Sequence, residues 1–266
     1  MTVSWSAYRR ARRRSRQAWA LLLVLAVSAV AAGVWFFTAG QFAATEPAIG
    51  GPSEAPVFDP TWMKPVAPVH PVPSGPAVAA LEALPVKGRA AKNNYEREAF
   101  GQAWLDVDRN GCDTRNDILR RDLASVDFTE ESACRVAAGS FHEPYTGEMA
   151  HFRRGPESSK EVQIDHVVAL ADAWQKGAQQ LTMQQRQSLA NDPLNLIAAD
   201  GPANQQKGAG DAATWLPKNK AFRCHYVARQ ISVKAAYGLW VTQAEKEAMK
   251  QVLGSCPGQP TIRPSH

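Results

Sequence analysis

Five polar side chains of types that serve in hydrolysis follow one another in the second half of the sequence. They are Asp165, His166, Asn195, Asn204 and Lys207. An imidazole has an ordinary pKa of about 6.5, so it is largely neutral near neutral pH and can accept a proton from water. Carboxylate and amide oxygens are hard donors that suit Mg²⁺ or Mn²⁺. The set therefore offers a base together with ligands for a divalent cation.

Two strands and a short helix are predicted to position these side chains. Residues 161–168 alternate and are rich in β-branched side chains, which predicts a strand that presents the acid and the imidazole side by side. Residues 194–198 predict a second short strand after an Asn-Asp-Pro turn. A Gly-Pro pair at Gly201 then begins a short helix, on which Asn204 and Lys207 share one face at a spacing of three residues.

The order of these elements resembles the ββα-metal core of the HNH nuclease superfamily, in which the third signature residue is His or Asn. The nine residues from Asn195 to Asn204 equal the usual gap in that superfamily. The 29 residues from His166 to Asn195 exceed the gap of many members. Residues 169–190 are therefore predicted to be an insertion, and the Thr-x-x-Gln motif at Thr182 can cap a helix within it.

Five segments taken together narrow this resemblance to one group within the superfamily. Over about residues 95–253 the sequence looks like a GmrSD-type C-terminal-domain HNH protein, and the resemblance rests on the whole set because an Asp-His pair alone is a weak signal. The segments are 111–115 (Gly-Cys-Asp-Thr-Arg), 144–147 (Pro-Tyr-Thr-Gly), 164–168 (Ile-Asp-His-Val-Val), 191–196 (Asn-Asp-Pro-Leu-Asn-Leu) and 215–217 (Trp-Leu-Pro).

The resemblance implies metal-dependent hydrolysis of phosphodiester bonds in nucleic acid. A phosphodiester repels hydroxide and its alkoxide leaving group is unstable, so cleavage requires a base and a cation. His166 is the expected general base, and Asp165 and Asn204 are expected to hold one Mg²⁺ or Mn²⁺. By the same resemblance Asn195 belongs to the catalytic set because it ties the His166 loop in place, and Lys207 contacts phosphate.

Two features near residue 110 leave alternatives open. Arg115 could clamp a substrate phosphate through its guanidinium, or it could pair with the neighbouring Asp113 or Asp117. The Asp-x-Asp-x-Asn-Gly loop that begins at Asp106 resembles an EF-hand calcium loop. Its twelfth residue is Asp117 rather than the usual Glu, and the spacing from Thr114 to Asp117 equally predicts a helix N-cap.

The N-terminal region predicts a membrane segment. Six arginines within residues 9–16 account for the positive net charge, since the rest of the chain has 24 basic and 25 acidic residues. Bulk charge therefore gives no indication of nucleic-acid binding. Residues 18–37 carry no charge, and 20 helical residues match a hydrocarbon core of roughly 30 Å. The positive-inside rule predicts a single-pass cell-membrane protein with its C-terminal domain outside the cytoplasm, or a secreted protein if the segment is cleaved after residue 31.

The fold class follows from length and composition together with the resemblance. The 266 residues, 45% of them hydrophobic, exclude a collagen-like or wholly disordered chain. We expect an α+β fold, with a ββα-metal (HNH) core and additional helices, after a transmembrane helix and a linker. The predicted boundaries are a basic tail at 1–17, a transmembrane signal anchor at 18–37, a Pro-rich linker at 38–87, the HNH domain at 88–256 and a C-terminal tail at 257–266.

The four cysteines all fall within the predicted domain and predict two disulfides, because thiols outside the cytoplasm usually oxidise. Three pairings are possible. Locality favours Cys112 with Cys134 and Cys224 with Cys256, because the latter bridge would join two predicted helices at 222–237 and 242–254.

The expected function is therefore an extracytoplasmic HNH endonuclease that acts on nucleic acid, with DNA as the expected substrate. We expect a monomer that uses Mg²⁺ or Mn²⁺ and no small-molecule cofactor. The alternative is a membrane-anchored binding module of the same fold, without catalysis and with Ca²⁺ in the Asp106 loop.

Overall fold

The computed structural model describes residues 68–156 and 158–263 of the chain. The predicted basic tail, the predicted membrane segment at 18–37 and the linker up to residue 67 lie outside the described residues. Within the described ranges, none of the helices combines the length and the apolar composition needed to cross a bilayer.

Helices and strands alternate irregularly along the chain, which confirms the α+β class. In the described part of the chain, short 3₁₀ helices occur at Arg97–Phe100, Ala178–Gln180 and Lys220–Phe222. The main elements are α1 (Ala77–Ala83), α2 (Thr114–Asp122), β1 (Ala124–Thr129), β2 (Ser132–His142), β3 (Met149–Arg153), α3 (Ser158–Glu161), β4 (Val162–His166), α4 (Leu170–Gln175), α5 (Met183–Asn191), β5 (Leu196–Asp200), α6 (Gly201–Lys207), α7 (Arg223–Ala236) and α8 (Gln243–Leu253).

The predicted strand, strand and helix around the polar residues are confirmed. β4 pairs antiparallel with β5 so that His166 lies opposite Leu196, and α6 follows β5 without a loop. The Asp200 side chain caps α6 by accepting a hydrogen bond from the Ala203 amide. At Gly201 an added Cβ would lie 1.9 Å from the Lys160 carbonyl oxygen, so only glycine lets α6 begin this close to α3.

A second sheet and an enclosed helix surround this hairpin. β1, β2 and β3 form an antiparallel sheet, and one apolar cluster packs it and α2 against β4 and β5. Helix α7 is buried from Tyr226 to Lys234 and contributes to two further apolar clusters. In the predicted insertion, Thr182 and Gln185 form a capping box at the start of α5, as expected.

Part of the predicted linker belongs to the folded domain, so the boundary at residue 87 was wrong. The Lys87 amide donates to the Val241 carbonyl, the Ala77 amide donates to the Gln259 carbonyl, and α1 buries Leu81 against α7 and α8. Proline frequency predicted a spacer here, but the eight residues between Pro76 and Pro85 contain no proline and form this helix. The predicted C-terminal tail also packs on the domain, because the Thr261 amide donates a hydrogen bond to the Gly75 carbonyl.

Both predicted disulfides are confirmed. Cys112 pairs with Cys134, which links the start of α2 to β2, with a Cα separation of 5.1 Å. Cys224 pairs with Cys256, which links the start of α7 to the segment after α8. Local patterns were sufficient here, because each bridge joins elements that are close in sequence.

A group of six charged side chains, of which all but Arg89 are buried, connects the helices of the insertion, α7 and α8. The ammonium of Lys176 is fully buried and lies 2.7 Å from an oxygen of each of three carboxylates. Three cations balance three carboxylates, which offsets the large cost of burying each charge. The group consists of Arg89, Asp172, Lys176, Asp211, Lys234 and Glu245.

Replacing Lys176 with Met should strongly destabilise the domain. The change leaves an excess of buried negative charge, and loss of one partner from a buried ion pair typically costs about 3–5 kcal/mol. Urea unfolding of the disulfide-intact chain measures the loss. Lys250→Met removes an exposed partner of Glu82 and should leave the unfolding midpoint nearly unchanged. Equal effects of the two substitutions would contradict the stabilising role of the buried group.

Candidate active site

A cleft of about 300 Å³ lies where β4 ends beside α6. Asp165, His166 and Asn204 all line it, so the structure brings these three predicted site residues together. Asn195 and Lys207 lie behind its wall and are buried. The residues that line the cleft are Tyr95, Arg97, Gln163, Ile164, Asp165, His166, Ala169, Leu170, Ala171, Asn204, Gln205, Gly208 and Ala209.

The imidazole of His166 is held by one main-chain carbonyl. Its Nε2 lies 2.8 Å from the carbonyl oxygen of Ala190, at the end of α5. If Nε2 donates this hydrogen bond, Nδ1 carries the free lone pair. Burial lowers the pKa of His166 to about 4, although the Ala190 carbonyl and the Asp165 charge partly oppose the shift. The ring is therefore neutral near pH 7 and has one nitrogen available as a base.

The carboxylate of Asp165 is buried and has two neighbours. The ammonium of Lys207 lies 3.0 Å from its Oδ1 and 2.9 Å from its Oδ2, and the Tyr145 hydroxyl donates to Oδ2 at 2.5 Å. Burial and the adjacent carboxylate raise the pKa of Tyr145 well above its usual value, so Tyr145 remains a hydrogen-bond donor. These neighbours fix the carboxylate: Oδ2 contacts both Lys207 and Tyr145, and Oδ1 contacts Lys207.

Lys207 does not have the position expected for a phosphate contact. Its side chain has no exposed surface, and its ammonium also donates to the His166 carbonyl oxygen at 2.8 Å. The three donors of an ammonium are thus directed at the carboxylate and the backbone of β4. The sequence placed Lys207 on the same helix face as Asn204, but it could not reveal that this position points into the protein.

Asn195 fastens the loop that follows His166. Its Oδ1 accepts a hydrogen bond from the Val168 amide at 2.8 Å, and its Nδ2 donates to the carbonyls of Val168 and Leu189 at 3.3 Å. Its backbone carbonyl also accepts from the Val167 amide. The side chain is fully buried and has no contact with the cleft.

Two arginines hold the turn that carries Asn195. Arg121 donates to the carbonyls of Pro193 and Leu196, and Arg229 donates to both of these and to that of Leu194. Burial lowers the pKa of Arg229 to about 10, which leaves it charged at neutral pH. Sequence inspection missed both arginines, because the carbonyls that they bind lie far away in the sequence.

Asn204 and Asp165 could hold a divalent cation. The Nδ2 of Asn204 donates to Gln163 Oε1 at 2.9 Å, so its Oδ1 is left as an acceptor. One carboxylate and one amide oxygen on the same cleft suit Mg²⁺, which keeps several of its waters. In the ranges 68–156 and 158–263, no group of three or more His, Cys, Asp or Glu residues is arranged to hold a metal ion. Because carboxylate and amide oxygens are hard donors, the pair Asp165 and Asn204 fits a hydrated hard cation.

Arg115 does not line the cleft. Its guanidinium lies 5.9 Å from the centre of the Trp104 ring, and in the described part of the chain no carboxylate is within ion-pair distance of it. The predicted N-cap at Thr114 was wrong by one residue, because the Asp113 side chain accepts from the Asn116 amide and caps α2. Arg115 is therefore not paired with Asp113 or Asp117, and it lies outside the cleft that holds His166.

The Asp106 loop forms a closed turn. The carboxylate of Asp106 accepts from the backbone amides of Asn110 and Gly111, and the Asn110 side chain donates to Asp108 and Asp117. These hydrogen bonds hold the loop closed through its own side chains.

Asn195→Ala should lower stability more than Asn204→Ala. The first change leaves the buried Val168 amide without a partner, which costs about 1–3 kcal/mol, whereas Asn204 is partly exposed and water can replace its one hydrogen bond. Urea unfolding in EDTA compares the two variants without an effect of metal. A smaller loss for Asn195→Ala would contradict its structural role.

Comparison with known proteins identifies the family. A family model described as GmrSD restriction endonucleases, C-terminal domain, matches residues 113–252, which is more than half of the chain. An uncharacterized secreted protein of Arthroderma benhamiae is 36% identical over an alignment of 195 residues, and the match covers 70% of this chain and 91% of the relative. No solved structure matches significantly. The matched residues include Asp165, His166 and Asn204, and the chain belongs to the GmrSD C-terminal domain family of HNH-type proteins.

Proposed function

We propose that this protein is an extracytoplasmic, metal-dependent endonuclease that hydrolyses phosphodiester bonds in nucleic acid, with DNA as the expected substrate. The observation that carries the proposal is the position of the neutral His166 ring, which lines the same cleft as the oxygen donors Asp165 and Asn204. Membership of the GmrSD C-terminal domain family supports the same reaction class.

His166 acts as the general base in this proposal. Its Nε2 is directed at Ala190, so Nδ1 accepts a proton from the water that attacks phosphorus. The ring becomes positively charged, and the Ala190 carbonyl and the Asp165 carboxylate both favour that form. The Ala190 contact also fixes the ring orientation, which reduces the entropy lost when water and phosphate are aligned.

Asp165 and Asn204 are the proposed cation ligands. A bound Mg²⁺ or Mn²⁺ would neutralise charge on the phosphate and on the leaving oxygen. Lys207 and Tyr145 restrain the Asp165 carboxylate from the protein side, and Gln163 restrains the Asn204 amide. The ligands are therefore preorganised by a surrounding layer of hydrogen bonds.

The extracytoplasmic location is supported by two disulfides, since such bonds persist outside reducing compartments. The relative from Arthroderma benhamiae is described as secreted. Attachment to the membrane through residues 18–37 and the monomeric state remain predictions from the sequence.

His166→Ala should lower the rate of plasmid cleavage by about 10²–10⁴-fold, the usual effect of losing a general base. The assay uses the oxidised full chain with Mg²⁺ or Mn²⁺, and EDTA should stop the reaction. His151→Ala is the matched control, because this exposed histidine lies on β3 and does not line the cleft.

Cleavage at the wild-type rate by folded His166→Ala would refute the proposed base. A folded, oxidised wild-type chain that cuts neither DNA nor RNA with either metal would instead favour the non-catalytic binding module. Circular dichroism establishes that each variant is folded before its activity is compared.

A further inference from the structure

Arg97 is a cationic side chain at the cleft to which the sequence analysis gave no role. It begins the 3₁₀ helix Arg97–Phe100 and lines the cleft together with His166. It also lines a smaller hollow of about 30 Å³, together with His166, Trp104 and Ala190. Both hollows are thus bordered by Arg97 and by His166.

The backbone that carries Arg97 is firmly held. Phe100 is 1% exposed and packs against Trp174, with 6.2 Å between the ring centres. Arg186 donates to the Ala99 carbonyl at 2.7 Å. Gly101, at φ +73°, ends the 3₁₀ helix against the side chain of Gln187. The position of Arg97 is therefore fixed by packing, although its side chain is exposed.

The guanidinium of Arg97 has no acceptor among the described residues. No carboxylate of that part of the chain lies within 4.0 Å of it, including the exposed neighbours Glu96 and Glu98. By contrast, the ammonium of Lys207 is paired with Asp165, and Arg89 is paired with two buried aspartates. Of the described side chains that line the cleft beside His166, Arg97 alone carries a positive charge.

We propose that the Arg97 guanidinium binds a phosphate of the nucleic-acid strand that occupies the cleft beside His166. A guanidinium presents a planar fork of donors that matches two phosphate oxygens. The inference rests on the proposed nuclease function, and it gives Arg97 the role that was expected of Lys207 or Arg115. Arg97 lies before residue 113, so the family match does not include it.

Binding of a fluorescent single-stranded oligonucleotide to the full, oxidised chain in EDTA tests the inference without cleavage. Arg97→Ala should weaken binding about tenfold or more at low salt. It should also reduce the slope of log Kd against log salt by about 0.7, the amount expected for one phosphate contact on a single strand. Arg97→Lys should keep the slope and bind more weakly than the wild type, because it keeps the charge and loses the fork.

Arg120→Ala is the matched control, because Arg120 is exposed on α2 and does not line the cleft. It should bind like the wild type. An oligonucleotide with a neutral methylphosphonate backbone should bind wild type and Arg97→Ala equally weakly. The inference fails if Arg97→Ala keeps the wild-type salt slope, if its defect persists on the neutral strand, or if the wild type shows no salt-dependent binding.

These outcomes are separate from those of the cleavage test. His166-dependent cleavage with an unchanged Arg97→Ala salt slope would leave the proposed function in place and overturn the role of Arg97. Loss of phosphate binding in Arg97→Ala, together with wild-type cleavage by His166→Ala, would retain the phosphate contact and remove the proposed base.

Discussion

The buried ion pair between Asp165 and Lys207 determines how the site is assembled. It connects the last turn of α6 to the end of β4, and the same ammonium binds the His166 carbonyl. Because the strand end and the helix are joined at this point, Asp165, His166 and Asn204 face one cleft. A buried carboxylate without this countercharge would be strongly unfavourable, so the pair links folding of the hairpin to formation of the site.

The predicted insertion and the segment before residue 113 also contribute contacts to the site. The carbonyl that orients His166 comes from Ala190 at the end of α5, and Asn195 donates to Leu189 of the same helix. The segment before residue 113 supplies Arg97 to the cleft and Arg89 to the buried charged group. Residues outside the minimal strand, strand and helix therefore complete the site, although they carry none of its signature residues.

Local features were predictable because their causes are local. The capping box at Thr182, the helix after Gly201 and the two disulfides depend on residues close in sequence, and all are present. The partners of Lys207, the packing of α1 and the position of Arg97 depend on contacts between distant segments, which a pattern in one segment does not encode. Proline frequency was misleading at 68–87 for the same reason, since α1 packs against α7 and α8, which lie more than 130 residues further along the chain.

The most direct test of the account is rescue of His166→Gly by free imidazole. Under single-turnover conditions with Mg²⁺, cleavage of a labelled DNA strand should be slow and should rise with imidazole concentration, because the small base enters the space left by the side chain. His151→Gly should cut like the wild type and should not respond to imidazole. Wild-type cleavage by His166→Gly, with no response to imidazole, would contradict the account.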